Sequence, residues 1–210
     1  MANPDTKEKI LNVAEELFAE QGYRATSLRA ITAAAGVNLA AVNYHFGSKE
    51  VLVEEVISRR LVTLNGQREK RLLAVRAVAA SAGRRPETVE VLLAFVEPTL
   101  LFPQSGSGAG NFIALVGRAM ADTDETARRI FMRLMQPVLQ LFAELLAEAQ
   151  PELSSEVLYW RLNFVVAALS HAMRAIDRCP MPLDIAVAKS APELVRLLTG
   201  FLAAGMLAET

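Results

Sequence analysis

The sequence predicts an all-α protein, with an N-terminal three-helix helix-turn-helix domain followed by a C-terminal helical bundle. Three observations predict it. Apolar residues recur with helical spacing along almost the whole chain, no alternating strand pattern of useful length or internal repeat interrupts them, and residues 26–50 read helix–glycine–helix. That last segment, TSLRAITAAAGVNLAAVNYHFGSKE, is the most informative stretch.

Ile10, Val13, Ala14, Leu17 and Phe18 fall at i, i+3, i+4, i+7 and i+8, the single inward stripe of a first helix. Glu15, Glu16 and Glu20 are expected on its outer face, and Gly22 stops it. A second helix, Leu28 to about Ala35, is built on small and apolar residues. Gly36 follows, a residue type that enters the left-handed region at little cost and so permits a tight turn. Asn38 is placed to cap a third helix by accepting from its free N–H groups. Leu39 to His45 makes about two turns, with Val42 and Phe46 four apart to hold it to the core and Ala40, Asn43 and Tyr44 pointing elsewhere. A helix this short fits a major groove end-on.

Ser48, followed by Glu50, opens a fourth helix that Leu52, Val56, Leu61 and Leu64 carry into the charged run Arg68–Arg71. GRRPE at 83–87 breaks the pattern, and Pro86 suits the first turn of a helix ending near Pro98–Pro103. QSGSGAG at 104–110 is a low-complexity loop, expected to be exposed and mobile. Helices are expected over Asn111–Ala121, Asp124–Gln150 with a kink near Pro137, Ser154–Arg178 and Pro192–Leu207. The division that follows is 1–48 for the helix-turn-helix domain, 49–85 for a connecting helix and 86–210 for a ligand-binding and dimerisation domain.

A chain of 210 residues is ample for a core. Its apolar share is 52%, but no uninterrupted apolar run reaches the ~18–20 residues of a membrane span. The start, MANPDTKEK, lacks the basic-then-apolar layout of a secretory signal. A single cysteine, Cys179, permits neither an internal disulfide nor a cysteine metal cluster. These features fit a cytoplasmic protein. Enzyme chemistry finds little support, because there is no glycine-rich phosphate loop, nucleophile elbow or metal-ligand spacing, and His45 and His171 are the only histidines. No cofactor is expected. The net charge of −1 argues against strong non-specific attraction to nucleic acid more than against specific binding, since helix N-termini hold phosphates without net charge.

The run Ala25–Glu50 resembles the DNA-binding domain of the TetR family of transcriptional regulators, and the resemblance extends over about residues 7–56. It is carried by EELFAEQGYRATS, the alanine-rich second helix, the GVN turn, the YHFGSKE exit and VLVEEVI after it. It implies a repressor that binds palindromic double-stranded operator DNA. Ser27, Arg29, Asn38, Leu39, Ala40, Asn43, Tyr44, His45 and Lys49 are the candidate DNA-contacting residues. Of these, Asn43 carries an amide that can pair two-pronged with adenine, and Tyr44 and Lys49 match family positions that clamp the DNA backbone.

The family's usual homodimer forms through its last two long helices, here Ser154–Arg178 and Pro192–Leu207. Leu158, Leu162, Val165, Val166, Leu169, Met173 and Ile176 give the first of them a broad apolar face. NLAAVNYHFGSK and FLAAGMLAET are further similar to members that respond to fatty acids or their coenzyme A esters, which implies a small apolar, acyl-type effector. Candidate effector-contacting residues are Phe95, Phe112, Leu115, Arg118, Phe131 and Asn163, apolar walls with a few polar groups among them. The competing reading is a small-ligand carrier with the same apolar bundle and no role on DNA.

Overall fold

The computed structural model describes residues 4–104, 106, 108–121, 125–175 and 190–209. Among these the chain forms nine α-helices and no strand. They are α1 (Pro4–Ala25), α2 (Leu28–Ala35), α3 (Leu39–Phe46), α4 (Lys49–Ser81), α5 (Thr88–Leu101), α6 (Ala109–Ala121), α7 (Glu125–Ala149), α8 (Ser155–Ala175) and α9 (Ala191–Leu207). Packing divides them into two compact units, 1–63 with 103–135 and 64–102 with 136–210. Helices α4 and α7 contribute residues to both.

In the first unit α1 is the hub, packing on α2, α3 and α6. Ile10, Leu11, Ala14 and Phe18 are buried along its inner stripe. Gly22 leaves helical geometry at φ 84°, ψ 165°, a region open to glycine, and breaks α1 where the sequence pattern stops. One expectation needs correcting. Glu15 is not on the outer face of α1 but only 2% exposed, its carboxylate accepting from Arg59 Nη2 at 2.5 Å and from Arg60 Nε and Nη2 at 3.1 and 3.0 Å. A buried carboxylate is tolerated where cations and hydrogen bonds replace its water, and the bond to Glu15 in turn raises the Arg60 pKa. Two further pairs, Arg129–Glu50 at 2.9 Å and Arg133–Glu54 at 2.7 Å, tie the start of α7 to the start of α4.

In the second unit α5 packs on α9 and α8. Pro86 lies just before α5 rather than in its first turn. Glu87 is the N-cap and forms a reciprocal capping box with Glu90. Phe95 of α5 stacks on Phe142 of α7, ring centroids 4.3 Å apart. Within the charged run of α4, Arg68 turns inward and is 4% exposed. It donates to Thr99 Oγ1 at 2.7 and 3.1 Å and to Asn65 Oδ1 at 2.8 Å, and lies 4.6 Å from the centre of the Phe95 ring. Burial lowers its pKa to about 9. Helix α7 runs through Pro137 as one helix. By length and hydropathy alone it is apolar enough to cross a membrane, yet Ile130, Met135, Val138, Phe142, Leu145 and Leu146 are buried in the fold. Cys179, the end of the predicted helix from Ile176 to Arg178, Asp124 at the predicted start of another, and Ser105 and Ser107 of the predicted loop lie outside the described residues.

Candidate nucleic-acid interface

Caps define the two short helices, and the caps are sequence-local. Ser27 Oγ accepts from the Ala30 N–H at 3.1 Å and opens α2. Gly36, at φ 61°, ψ 38°, closes α2, and the Val37 N–H then donates to the Thr32 carbonyl at 3.0 Å. Any other residue type would be strained there, so this glycine sets the tight α2–α3 turn. Asn38 Oδ1 accepts from the Ala41 N–H at 2.9 Å and opens α3. Ser48 Oγ accepts from the Val51 N–H at 3.1 Å and opens α4.

Ile31 and Ala35 of α2 and Val42 and Phe46 of α3 are buried, so both helices are pinned on one side. The other side of α3 is bare. Leu39, Ala40, Asn43 and Tyr44 are all exposed, Tyr44 to 75%. His45 is half-buried, set edge-on to Tyr44 at 5.2 Å, with Nε2 buried and without a hydrogen-bond partner. Ser27 and Arg29 are exposed at the start of α2. Lys49 Nζ lies 4.3 Å from the centre of the Tyr23 ring and 3.5 Å from the Arg24 carbonyl, so it reaches back to the end of α1. The nine candidates therefore lie on α2, on α3, at the caps that open them and at the start of α4, within one compact unit. Lys9 stands beside them unanticipated, because a Cβ on Gly36 would sit 3.7 Å from its Nζ. Nothing in the local sequence links α1 to that turn; only packing brings them together.

The candidate effector residues are placed less coherently. Phe112 and Leu115 of α6 are buried and Phe131 of α7 is half-buried, all in the first unit. Phe95 and Asn163 belong to the second. Asn163 is exposed and its Nδ2 donates to the Tyr159 carbonyl one turn back, so its amide serves its own helix. Arg118 donates through Nε to the Ala19 carbonyl of α1 at 2.6 Å.

The apolar face expected on α8 does not all point outward. Val165 and Leu169 are 2% and 4% exposed, buried against their own chain, and Leu158, Leu162, Val166 and Met173 are half-buried. Among the described residues of α8 and α9, the large apolar side chains left uncovered are Tyr159, Trp160 and Phe164 on α8 and Leu197, Phe201 and Leu207 on α9. Trp160 and Phe164, one turn apart, stack at 6.2 Å. The heptad-like count of leucines and valines could not separate the face turned to α5 and α9 from the one turned outward.

A fold of helices alone, with two short capped helices meeting at a left-handed glycine and the second bare on one side, defines a helix-turn-helix DNA-binding regulator. Residues 10–56 match the family model for bacterial regulatory proteins of the tetR family, and residues 93–205 match the tetracyclin repressor-like C-terminal domain. The chain belongs to the TetR family of transcriptional regulators. Among curated relatives, the transcriptional repressor KstR2 of Rhodococcus jostii is 36% identical over 85 residues, which are 40% of this chain and 38% of that protein. Among solved structures, the fatty acid degradation regulator FadR from Bacillus halodurans superposes with a TM-score of 0.69 at 15% identity, covering 100% of both chains. FadR from Bacillus subtilis, in complex with stearoyl-CoA, does so with a TM-score of 0.69 at 13% identity, over 94% of this chain and 98% of that one. At these identities the two structures establish the shared fold.

Proposed function

We propose that this chain is a cytoplasmic repressor that binds a palindromic operator as a homodimer and is released by a small apolar, acyl-bearing effector. The observation that carries the reading is the bare side of α3, where Leu39, Ala40, Asn43 and Tyr44 face solvent from a helix anchored by Val42 and Phe46. Asn43 reads an adenine edge, Leu39 and Ala40 meet the groove floor, and His45 supports the Tyr44 ring. Ser27, Arg29, Asn38, Tyr44 and Lys49 hold phosphates, with the helix starts at Ser27 and Asn38 adding backbone N–H groups. Residues 1–48 carry the DNA contact, 49–85 link it onward and 86–210 take effector and partner.

The exposed Trp160, Phe164 and Phe201 supply the seam of a four-helix contact between two copies. The repressor function of KstR2 supports the sign of regulation, and the stearoyl-CoA bound to Bacillus subtilis FadR supports an acyl effector. Phe112, Leu115 and Phe131 are the candidate walls for its chain.

The test starts with the purified protein enriching a duplex from a random-sequence library. The selected duplex should contain two inverted half-sites about one helical turn apart, ~34–36 Å, or a multiple of it. Replacing Lys49 by alanine should flatten the log–log salt dependence by about 0.9 per lost phosphate contact, or ~2 per dimer. Calorimetry with fatty acids and acyl-coenzyme A esters, with and without the duplex, should show reciprocal weakening, since coupling acts equally in both directions. Failure to enrich any duplex would favour the carrier reading, and an effector that binds equally with and without DNA would not be an inducer.

A further inference from the structure

The break in α1 creates a local need. Ala19 is the first residue of that helix whose i+4 donor, the Tyr23 N–H, lies beyond non-helical Gly22. Its carbonyl stands at the negative end of the dipole of the segment that precedes Gly22, where a cationic donor is most favourable. The guanidinium of Arg118, 99 residues further on, meets it at 2.6 Å. The rest of the corner is also held. The Thr26 hydroxyl donates to the Gly22 carbonyl at 2.8 Å, with the Leu17 carbonyl 3.1 Å away, and Lys49 stands over the Tyr23 ring. One residue past Thr26, Ser27 caps α2, and α2 turns directly into α3.

We propose that Arg118 is a positioning residue for DNA binding, capping from α6 the segment of α1 that ends at the Gly22 break and so fixing the corner from which α2 and α3 are hung. The inference rests on the reading of α3 as the groove helix. Arg118 acts through the α1–α2 corner and touches no DNA itself. A charge-assisted bond to a helix-end carbonyl restricts the direction in which the chain leaves α1. A small swing there is carried to both recognition helices of a dimer, which must enter their grooves together.

The experiment compares the wild-type protein with Arg118→Ala and Arg118→Lys, using as probe the duplex that the wild type enriches from a random library. Arg118→Ala should bind that duplex about tenfold more weakly, an effect of ~1.4 kcal/mol, with an unchanged log–log salt slope, because no phosphate contact is lost. Amide hydrogen exchange should accelerate at 22–27 and stay as in the wild type along α4 and α7. Arg118→Lys should recover most of the affinity. Faster exchange at the corner with unaltered affinity would make the cap structural only and overturn the proposal. A shallower salt slope would mean that Arg118 contacts phosphate itself, which also overturns it. So would exchange accelerated throughout the molecule, the sign of general destabilisation. If the wild type enriches no duplex, the DNA reading falls first, a result separate from all of these.

Discussion

Helices α3 and α8 both turn aromatic rings to solvent, in surroundings of opposite kind. On α3, Tyr44 stands beside Asn43 and a half-buried histidine, with Arg29, Lys9 and Lys49 on neighbouring elements. On α8, Trp160 and Phe164 stack on each other beside Tyr159, and α9 adds Phe201 and Leu197. A phenol beside an exposed amide, in a unit whose neighbouring elements carry cationic side chains, suits a polar, negatively charged groove, because contacts there are hydrogen bonds and phosphate attraction. A run of stacked, uncovered apolar rings suits another apolar surface, because its gain comes from removing area from water. The same exposure thus has two meanings, and the neighbouring chemistry separates them.

The largest expected effect lies on α8 and breaks the comparison if it fails. Trp160→Glu with Phe164→Glu should weaken the proposed dimer by about a hundredfold while leaving the monomer folded, since charge at the centre of an apolar seam is left unpaired. Val165→Asp should act differently, lowering the melting temperature and costing about 2–5 kcal/mol of fold stability, because that side chain is already inside the chain. Sedimentation and thermal melting read the two outcomes, and an intact dimer in the double variant would place the interface elsewhere.

On α3 the expected effects are smaller and concern selectivity. Asn43→Ala should relax preference at one base pair of each half-site by roughly 1–3 kcal/mol, measured across single-base variants of the selected duplex. Equal relative affinities would remove Asn43 from base readout. Smaller again is the cap of the same helix. Asn38→Ala should cost about 1 kcal/mol of stability, read by denaturant midpoint, with loss of protection at the Ala41 amide.

The smallest effect sharpens the contrast from a surface pair in the second unit. Glu90 accepts from the Arg84 guanidinium and from the Glu87 N–H, and these bonds hold its pKa below the usual carboxylate value. A carboxyl whose folded pKa is depressed contributes stability above its unfolded pKa and loses that contribution as pH falls through the folded value. Melting temperature should therefore decline slightly more steeply on acidification in the wild type than in Glu90→Gln, and identical acid profiles would show that the pair is energetically idle.

Much of the DNA-reading module is legible in the chain because its determinants are local. Ser27, Gly36, Asn38 and Ser48 act on atoms within five residues of themselves, and Val42 and Phe46 need only the helical repeat to share a face. The candidate effector residues are not legible in the same way. Asn163 looks like a polar group in an apolar helix, yet its amide is satisfied one turn back on the outer side. Arg118 has the same sequence signature and is bound to the end of another helix.

The sequence by itself therefore determined the helical class, the caps that open α2 and α3, the glycine turn between them and the exposure of Asn43 and Tyr44, all consequences of hydrogen bonds and periodicity over a few residues. Tertiary structure alone decided that Glu15 and Arg68 lie inside, that Val165 and Leu169 turn inward while Trp160 and Phe164 turn outward, and that Arg118 reaches α1. The physical reason is range. A cap or a repeat is a property of adjacent residues, whereas the burial of a charge or the free side of a helix is set by the partner packed against it, which lies 31 residues away for Arg68 and Thr99 and 45 for Glu15 and Arg60.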